Sequence, residues 1–307
     1  MPEPRRVLNL ISHPRVNAQA DFNELAEWIA ACDPEVAVRV LPDAVSEVAP
    51  LDLPMLTVSP GPLIHFRPAR GPIFQGQHVA KSAEYRALDA AGIPVPRWQR
   101  LLPGQQPDLS EFGEYLVTKP DFGARGADVR IERRIVARWQ PPRTATAVHM
   151  GGPFNPRVAQ EFVYTGAWPR SYRVATLFGN ALWAMKIEAS HVRAPLPDIR
   201  AFHGQSVVSS GRGCTFELAC DADVIALAER AHGALPRVPL LGVDVLRDVR
   251  DGRLFVVELN SLGFTWHFSS PGGLRFQSEF SFDLGSQFDG RRKAARLLAK
   301  ACVDHAA

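Results

Sequence analysis

Cysteine is scarce in this 307-residue chain, and its four thiols, Cys32, Cys214, Cys220 and Cys302, form no CxxC pair. That spacing suggests neither a zinc site nor a disulfide framework, and idle thiols in a reducing compartment fit it better. A charge of one sign is also lacking. The 35 basic and 32 acidic residues leave a formal net charge of +3, too balanced for composition alone to argue nucleic-acid binding. No apolar run approaches the roughly 20 residues of a membrane-spanning helix. The early stretch VLNLI is too short for the apolar centre of a signal peptide, and Ser12, His13, Pro14 and Arg15 close it. Internal repeats and low-complexity tracts are missing as well. A cytoplasmic protein with no membrane or nucleic-acid partner is the expectation.

At 46% hydrophobic and 22% charged residues, the composition is that of a globular protein large enough for subdomains sharing a core. Residues 6–64 read as β-α-β-β: strands at RVLNLI, VAVRVLP and PMLTVS, and a helix at DFNELAEWIAAC with Asp21 as N-cap and Glu24 completing a capping box. Residues 65–78, rich in Pro, Gly and basic side chains, read as a crossing segment with a boundary near 78. A helix follows, with Val79, Ala83, Ala87, Leu88 and Ala91 as its apolar positions and Gly92 as its stop. Strands are expected at 115–119 and 127–131, and a hairpin where Gly179 and Asn180 split VATLF from ALWAM. Residues 190–215 read as a long loop, DADVIALAERAHGAL as a helix capped by an Asp, and GRRKAARLLAKACVDH as a C-terminal helix.

GVDVLRDVRDGRLFVVELN is the most informative stretch. Val243 and Val245 flank Asp244, while Phe255, Val257 and Leu259 alternate with Glu258 and Asn260, so one strand face is apolar and the other bears two carboxylates and an amide. A two-residue turn at Asp251 and Gly252 puts Asp244 opposite Leu259, whereas a three-residue loop with Gly252 left-handed pairs Asp244 with Glu258. The three-residue loop is the expectation. The converged oxygens then suit a hard cation such as Mg²⁺. The bland alternative is an exposed strand face with incidental acids. Upstream, Lys119 ends a strand and Phe122, Gly123, Ala124, Arg125 and Gly126 form a glycine-rich loop, so one ammonium and several backbone N–H groups are offered to a polyphosphate.

In this order the motifs resemble the ATP-grasp enzymes, especially the branch holding glutathione synthetase and the ribosomal-protein glutamate ligases. The matching stretches are KSAEYRALDAAGIPVPRW, YLVTKPDFGARGADV, QEFV, YRVATLFGNALWAMK and LGVDVLRD with GRLFVVELNSLG, spread over residues 79–263. The resemblance implies an α/β and α+β ATP-grasp fold: a short N-terminal α/β lobe over 1–78, a lid subdomain over 79–160, and a metal- and substrate-binding subdomain over 161–307. It implies ATP and Mg²⁺ as cofactors, with Mn²⁺ as an alternative metal. Lys81 and Lys119 become phosphate contacts, Gly123, Ala124, Arg125 and Gly126 the lid loop, and Glu161, Phe162 and Val163 the adenine hinge. Asp244, Glu258 and Asn260 match the magnesium ligands, and Arg173 matches a family arginine, with Ser171 where an Asp is common.

The implied reaction is ligation of a carboxylate to an amine through an acylphosphate, with small-molecule carboxylate and amine substrates and a homodimer as one assembly. A departure lies in WAMKIE, where the strict register leaves Ile187 at the place of a catalytic arginine. Lys186 or Arg212 is expected to supply that charge, with Arg193 and Arg200 behind them. Two rival readings are a phosphotransferase with a hydroxyl acceptor and a nucleotide-binding protein without turnover. Thr265, Trp266 and His267 follow the metal strand, where a substrate pocket is expected. His267 is read there either as a proton acceptor for the amine or as a loop histidine stacked on Trp266.

Overall fold

The computed structural model of the chain describes residues 3–45, 52–63, 65–68, 70–124, 126–193, 196 and 213–307. The N-terminal part contains β1 (Arg6–Ser12), α1 (Gln19–Cys32), β2 (Val36–Pro42), β3 (Met55–Ser59) and β4 (Ile73–Gln75). These strands form a parallel sheet in the order β2-β1-β3-β4. The stretch read as a bare crossing segment therefore supplies an edge strand. Three residues are too few to show a period, and only the partner β3 reveals them. Asp21 does not cap α1 either. Ala18 holds the N-cap position, and the buried Asp21 carboxylate accepts from Trp266 Nε1 at 2.6 Å and Ser269 Oγ at 2.8 Å.

Next come α2 (Lys81–Ala90), β5 (Trp98–Leu101), β6 (Tyr115–Pro120), β7 (Arg130–Arg133), α3 (Ala145–Gly151) and β8 (Arg157–Glu161). Their strands make an antiparallel sheet ordered β5-β8-β6-β7. The remainder contains β9 (Arg170–Leu177), β10 (Asn180–Ala189), β11 (Cys214–Leu218), α4 (Ala222–His232), β12 (Leu240–Arg247) and β13 (Leu254–Asn260). It closes with α5 (Pro271–Phe280), α6 (Leu284–Gln287) and α7 (Gly290–His305). Its antiparallel sheet runs β11-β10-β9-β12-β13. β11 begins at Cys214, inside the segment read as loop, and runs past its end to Leu218.

This central sheet is covered on both faces, which is why its strands read as nearly continuous apolar runs. One face, through Trp183, Met185, Ile187 and Leu240, shares a core with Leu10, Phe22 and Leu298 of β1, α1 and α7. The other, through Tyr172, Val174, Val243 and Val245, packs on Leu88 of α2 and Val224 and Leu227 of α4. The β9–β10 turn is one residue earlier than expected: Leu177 pairs with Asn180, and Phe178 and Gly179 take φ of +46° and +78°. Asn180 Nδ2 donates to the Phe178 carbonyl at 3.0 Å and steadies that turn. Asp221 precedes α4 without a side-chain cap bond and accepts from the Tyr172 hydroxyl at 3.2 Å instead. Among the described residues, no helix is long and apolar enough to cross a membrane.

Candidate active site

The β12–β13 hairpin brings Asp244 opposite Glu258, and Gly242 opposite Asn260. The route differs from the three-residue loop expected. Arg247 pairs with Leu254, Asp248 N–H donates to the Arg253 carbonyl at 2.9 Å, and Val249 to Gly252 form a four-residue loop with Gly252 at φ +75°. Continued regularly, that ladder would set Asp244 opposite Val257. A β-bulge between Asp244 and Val245 inserts one extra residue on β13 and shifts the register by one. The Val257 carbonyl at this irregularity accepts from Lys119 Nζ at 2.8 Å and lies 2.8 Å from the Tyr85 hydroxyl.

Helix α2 supplies the facing wall. Its start is held by Asp121, whose carboxylate accepts from Ser82 N–H at 2.8 Å and Ser82 Oγ at 2.9 Å, while the Asp121 carbonyl takes Lys81 N–H at 3.0 Å. The buried stripe is therefore Lys81, Glu84, Tyr85 and Leu88, spaced i, i+3, i+4 and i+7, rather than the alanine-rich face read from the sequence. Lys81 Nζ lies 2.9 Å from Glu258 Oε1 and donates to the Gly123 carbonyl at 3.0 Å. Glu84 Oε2 accepts from Leu259 N–H at 3.2 Å, and Lys119 Nζ donates to Tyr85 Oη at 3.0 Å. Side chains of α2 and β6 thus satisfy backbone groups on the outer edge of β13, tying the two antiparallel sheets together.

These charges adjust one another. Burial alone would raise the Glu258 carboxyl, but Lys81 and Lys119 outweigh it and hold its pKa down to about 2. Burial pushes Glu84 up to about 8 and Lys119 down to about 8. Burial opposes charge on Lys81, yet Glu258 and Glu84 raise its pKa overall. Glu84 and Tyr85 were missed in the sequence, although their spacing from Lys81 was the available signal.

Arg173 on β9 faces Asp244 on β12, with Nε to Oδ1 and Nη2 to Oδ2 both at 2.7 Å. Cross-strand partners share a face, so Met185, Arg173, Asp244 and Glu258 form one row across the sheet, and Trp183, Ala175, Gly242 and Asn260 the next. Lys186 does not join them. It pairs with Tyr172, on the opposite face, and meets Glu217 at 2.5 Å. Side chains alternate along a strand, so the neighbour of Ile187 cannot stand in for it, and the catalytic role expected of Lys186 is withdrawn. Ile187 lies on the site face, buried opposite Ser171. Arg193 lies with its guanidinium carbon 4.8 Å from the Phe162 ring centroid. Arg125, Arg200 and Arg212 lie outside the described residues.

The glycine loop leaves β6 beside this cluster. Asn155 pins its root, accepting from Phe122 N–H at 3.2 Å and donating to the Phe122 carbonyl at 2.7 Å. Ala124 accepts from Ala127 N–H at 3.1 Å, and Gly126 takes φ +67°. At the end of β8, Glu161 Oε1 accepts from Gly113 N–H at 3.2 Å and Phe162 N–H donates to the Tyr115 carbonyl at 3.3 Å, while Val163 is buried. His267, read as stacked on Trp266, lies instead over Trp183, with ring centroids 5.1 Å apart and planes 15° apart.

Asp244, Glu258 and Asn260 share one face of the hairpin, where both Asp244 oxygens are bound by Arg173 and Glu258 Oε1 by Lys81. Asn260 Nδ2 donates to the Gly242 carbonyl at 3.1 Å and to Asp244 Oδ2 at 3.3 Å, which leaves Oδ1 as its acceptor. Among the described residues no cluster of three or more His, Cys, Asp or Glu side chains could hold a metal. Two carboxylates and an amide suit Mg²⁺ when phosphate and water complete its shell.

No family model and no curated protein matches the sequence. Solved structures do match. D-cycloserine synthetase DcsG aligns at 18% identity over 95% of this chain and 99% of its own, with a TM-score of 0.50. The ATP-grasp ligase PsnB complexed with minimal precursor, Mg and ADP aligns at 14% identity over 95% and 98%, with a TM-score of 0.53. PsnB with a phosphomimetic variant of that precursor gives 14%, 95%, 98% and 0.52. At such identities the likeness is one of fold.

Proposed function

From the ATP-grasp fold of this chain, we infer that it is an ATP- and Mg²⁺-dependent ligase that activates a carboxylate as an acylphosphate and joins it to an amine or amino acid. The observation that carries this reading is the convergence of Lys81, Lys119 and the Asp244–Glu258 pair on one half-buried point. The PsnB structure containing Mg and ADP on the same fold supports the choice of cofactors.

In this reading Lys81 and Lys119 bind nucleotide phosphates under the loop of Gly123, Ala124, Arg125 and Gly126, with Glu161, Phe162 and Val163 beside adenine. Asp244, Glu258 and Asn260 would hold Mg²⁺, which when bound offsets phosphate charge. The Lys81–Glu258 ion pair exchanges partners on binding, the ammonium passing to a phosphate oxygen. Arg173 and the lysines balance charge developing on the transferred phosphoryl group, and Arg212 is retained as the arginine that answers Ile187. Ile187 itself favours a second reading, a nucleotide-binding protein without turnover.

Phosphate release from MgATP with a pooled amino-acid panel tests the choice. The expected result is carboxylate-dependent release that an Asp244→Ala/Glu258→Ala double variant abolishes. Binding of MgATP without release across the panel would favour the second reading.

A further inference from the structure

We propose that His267 is the catalytic base that takes a proton from the amine as the C–N bond forms. This rests on the ligase reading above. Three observations carry it.

Residue 267 is held from several sides. Its ring stacks on Trp183 at 5.1 Å, its carbonyl accepts from Gln277 Nε2 at 2.8 Å, and its N–H donates to the Thr265 carbonyl at 2.8 Å. Gly273 lets α5 approach: a Cβ there would lie 2.3 Å from the His267 carbonyl oxygen.

The ring stands beside the reacting row. Trp183 belongs to the row of Ala175, Gly242 and Asn260, two residues along the strands from Met185, Arg173, Asp244 and Glu258. That offset is about 7 Å at the usual rise per residue. Thr265 lies over Gly242 in the same row, with its Cγ2 only 2.2 Å from where a Cβ on that glycine would sit. The imidazole over Trp183 therefore lies on the same sheet face as Arg173 and Asp244, toward β10.

Among the described residues, His267 Nδ1 is buried without a hydrogen-bond partner, and so is Thr265 Oγ1, two residues earlier. Native interiors rarely leave such atoms unmatched, and a ligand-facing role is a physical reason to do so. Burial, reinforced by the charge of Arg173, pushes the imidazole down to about 4, which leaves the ring free to accept a proton near pH 7 and makes it a weaker base than a solvated histidine.

The step balances. The amine nitrogen forms a bond to the acylphosphate carbonyl carbon, the bond from that carbon to the phosphate oxygen breaks, and phosphate leaves with the electron pair. One N–H proton passes to the imidazole and from there to solvent. Arg173 remains charged throughout and holds Asp244.

Hydroxylamine separates this role from every earlier one, because near neutrality it is mostly unprotonated and captures an acylphosphate without help from a base. The experiment compares wild type, His267→Gln and His267→Asn with MgATP and the amino-acid pool, measuring hydroxamate with hydroxylamine present and amide product without it. Expected is hydroxamate within about 3-fold of wild type and amide reduced by about 100-fold or more, the usual size of a general-base effect. Hydroxamate also reports that each variant is folded. Equal loss of both products, or amide that persists, overturns the role of His267. A wild type that yields neither phosphate nor hydroxamate contradicts the ligase reading instead.

Discussion

Arg173 holds Asp244 through two parallel hydrogen bonds of 2.7 Å across β9 and β12. Both side chains are largely buried, so Arg173→Ala strands a carboxylate in the sheet. The expected loss in metal-free buffer is about 3–5 kcal/mol. If Asp244 is a magnesium ligand, added Mg²⁺ gives that charge a new partner, and Tm rises more steeply with Mg²⁺ in the variant than in wild type. Thermal unfolding across a Mg²⁺ series checks this, and parallel curves would remove Asp244 from the metal site.

Lys186 makes the contrasting case. It lies on the other face of β10, partly exposed and paired with Glu217. Lys186→Ala should change turnover less than about 2-fold and stability by about 0–1 kcal/mol, the usual worth of a surface pair. Steady-state kinetics with the productive substrates checks it, and a large fall in kcat would restore the lysine to the site.

Tyr85 joins the two antiparallel sheets at one hydroxyl. That group lies 2.5 Å from Gln160 Oε1 and 2.8 Å from the Val257 carbonyl, and accepts from Lys119. Tyr85→Phe leaves buried polar atoms short of a partner, with an expected loss of about 1–3 kcal/mol. Urea unfolding reads this as a lower midpoint at unchanged slope, and an unchanged midpoint would show that the hydroxyl contributes nothing net.

Gly263 lies where the loop after β13 meets the N-terminal lobe. Its φ is +75°, and a Cβ would lie 2.4 Å from the Pro60 carbonyl oxygen. Both features oppose a side chain, so Gly263→Ala should destabilise by about 2 kcal/mol or more. Urea midpoints for wild type and variant test it, and equality would mean the loop moves aside freely.

His232 gives a pH dependence with a definite sign. Its Nε2–H donates to the Val238 carbonyl at 3.0 Å, Nδ1 faces the Thr176 hydroxyl at 2.7 Å, and burial pushes its pKa from 6.5 to about 4. The unfolded chain takes up the proton first. This contribution is therefore full above pH 6.5 and lost as pH falls toward 4, by at most about 3 kcal/mol. Urea unfolding between pH 7.5 and 4.5 should give a shallower pH slope in His232→Gln than in wild type. Identical slopes would place the titration elsewhere.

The pairing of Asp244 with Glu258 was legible because it rests on short-range pattern. Alternation about Asp244 and Glu258 put both on one strand face, and the ordered motifs carried the fold. What stayed hidden depends on distant partners. The bulge near Val257 can be recognised only when Lys119 and Tyr85, far away in sequence, meet its carbonyl. Asp21 looks like a cap until Trp266 and Ser269 claim it. The buried stripe of α2 is polar, against the usual correlation of apolar with inside.

The central claim, transfer of a phosphoryl group to a carboxylate to give an acylphosphate whose phosphate an amine then displaces, has one direct measurement: mass analysis of phosphate released from MgATP with amino acids carrying ¹⁸O in their carboxyl groups. The account predicts that one ¹⁸O atom passes into each phosphate released, because the acylphosphate breaks at its carbonyl carbon. Phosphate free of ¹⁸O, or phosphate retained on the acceptor, would contradict it.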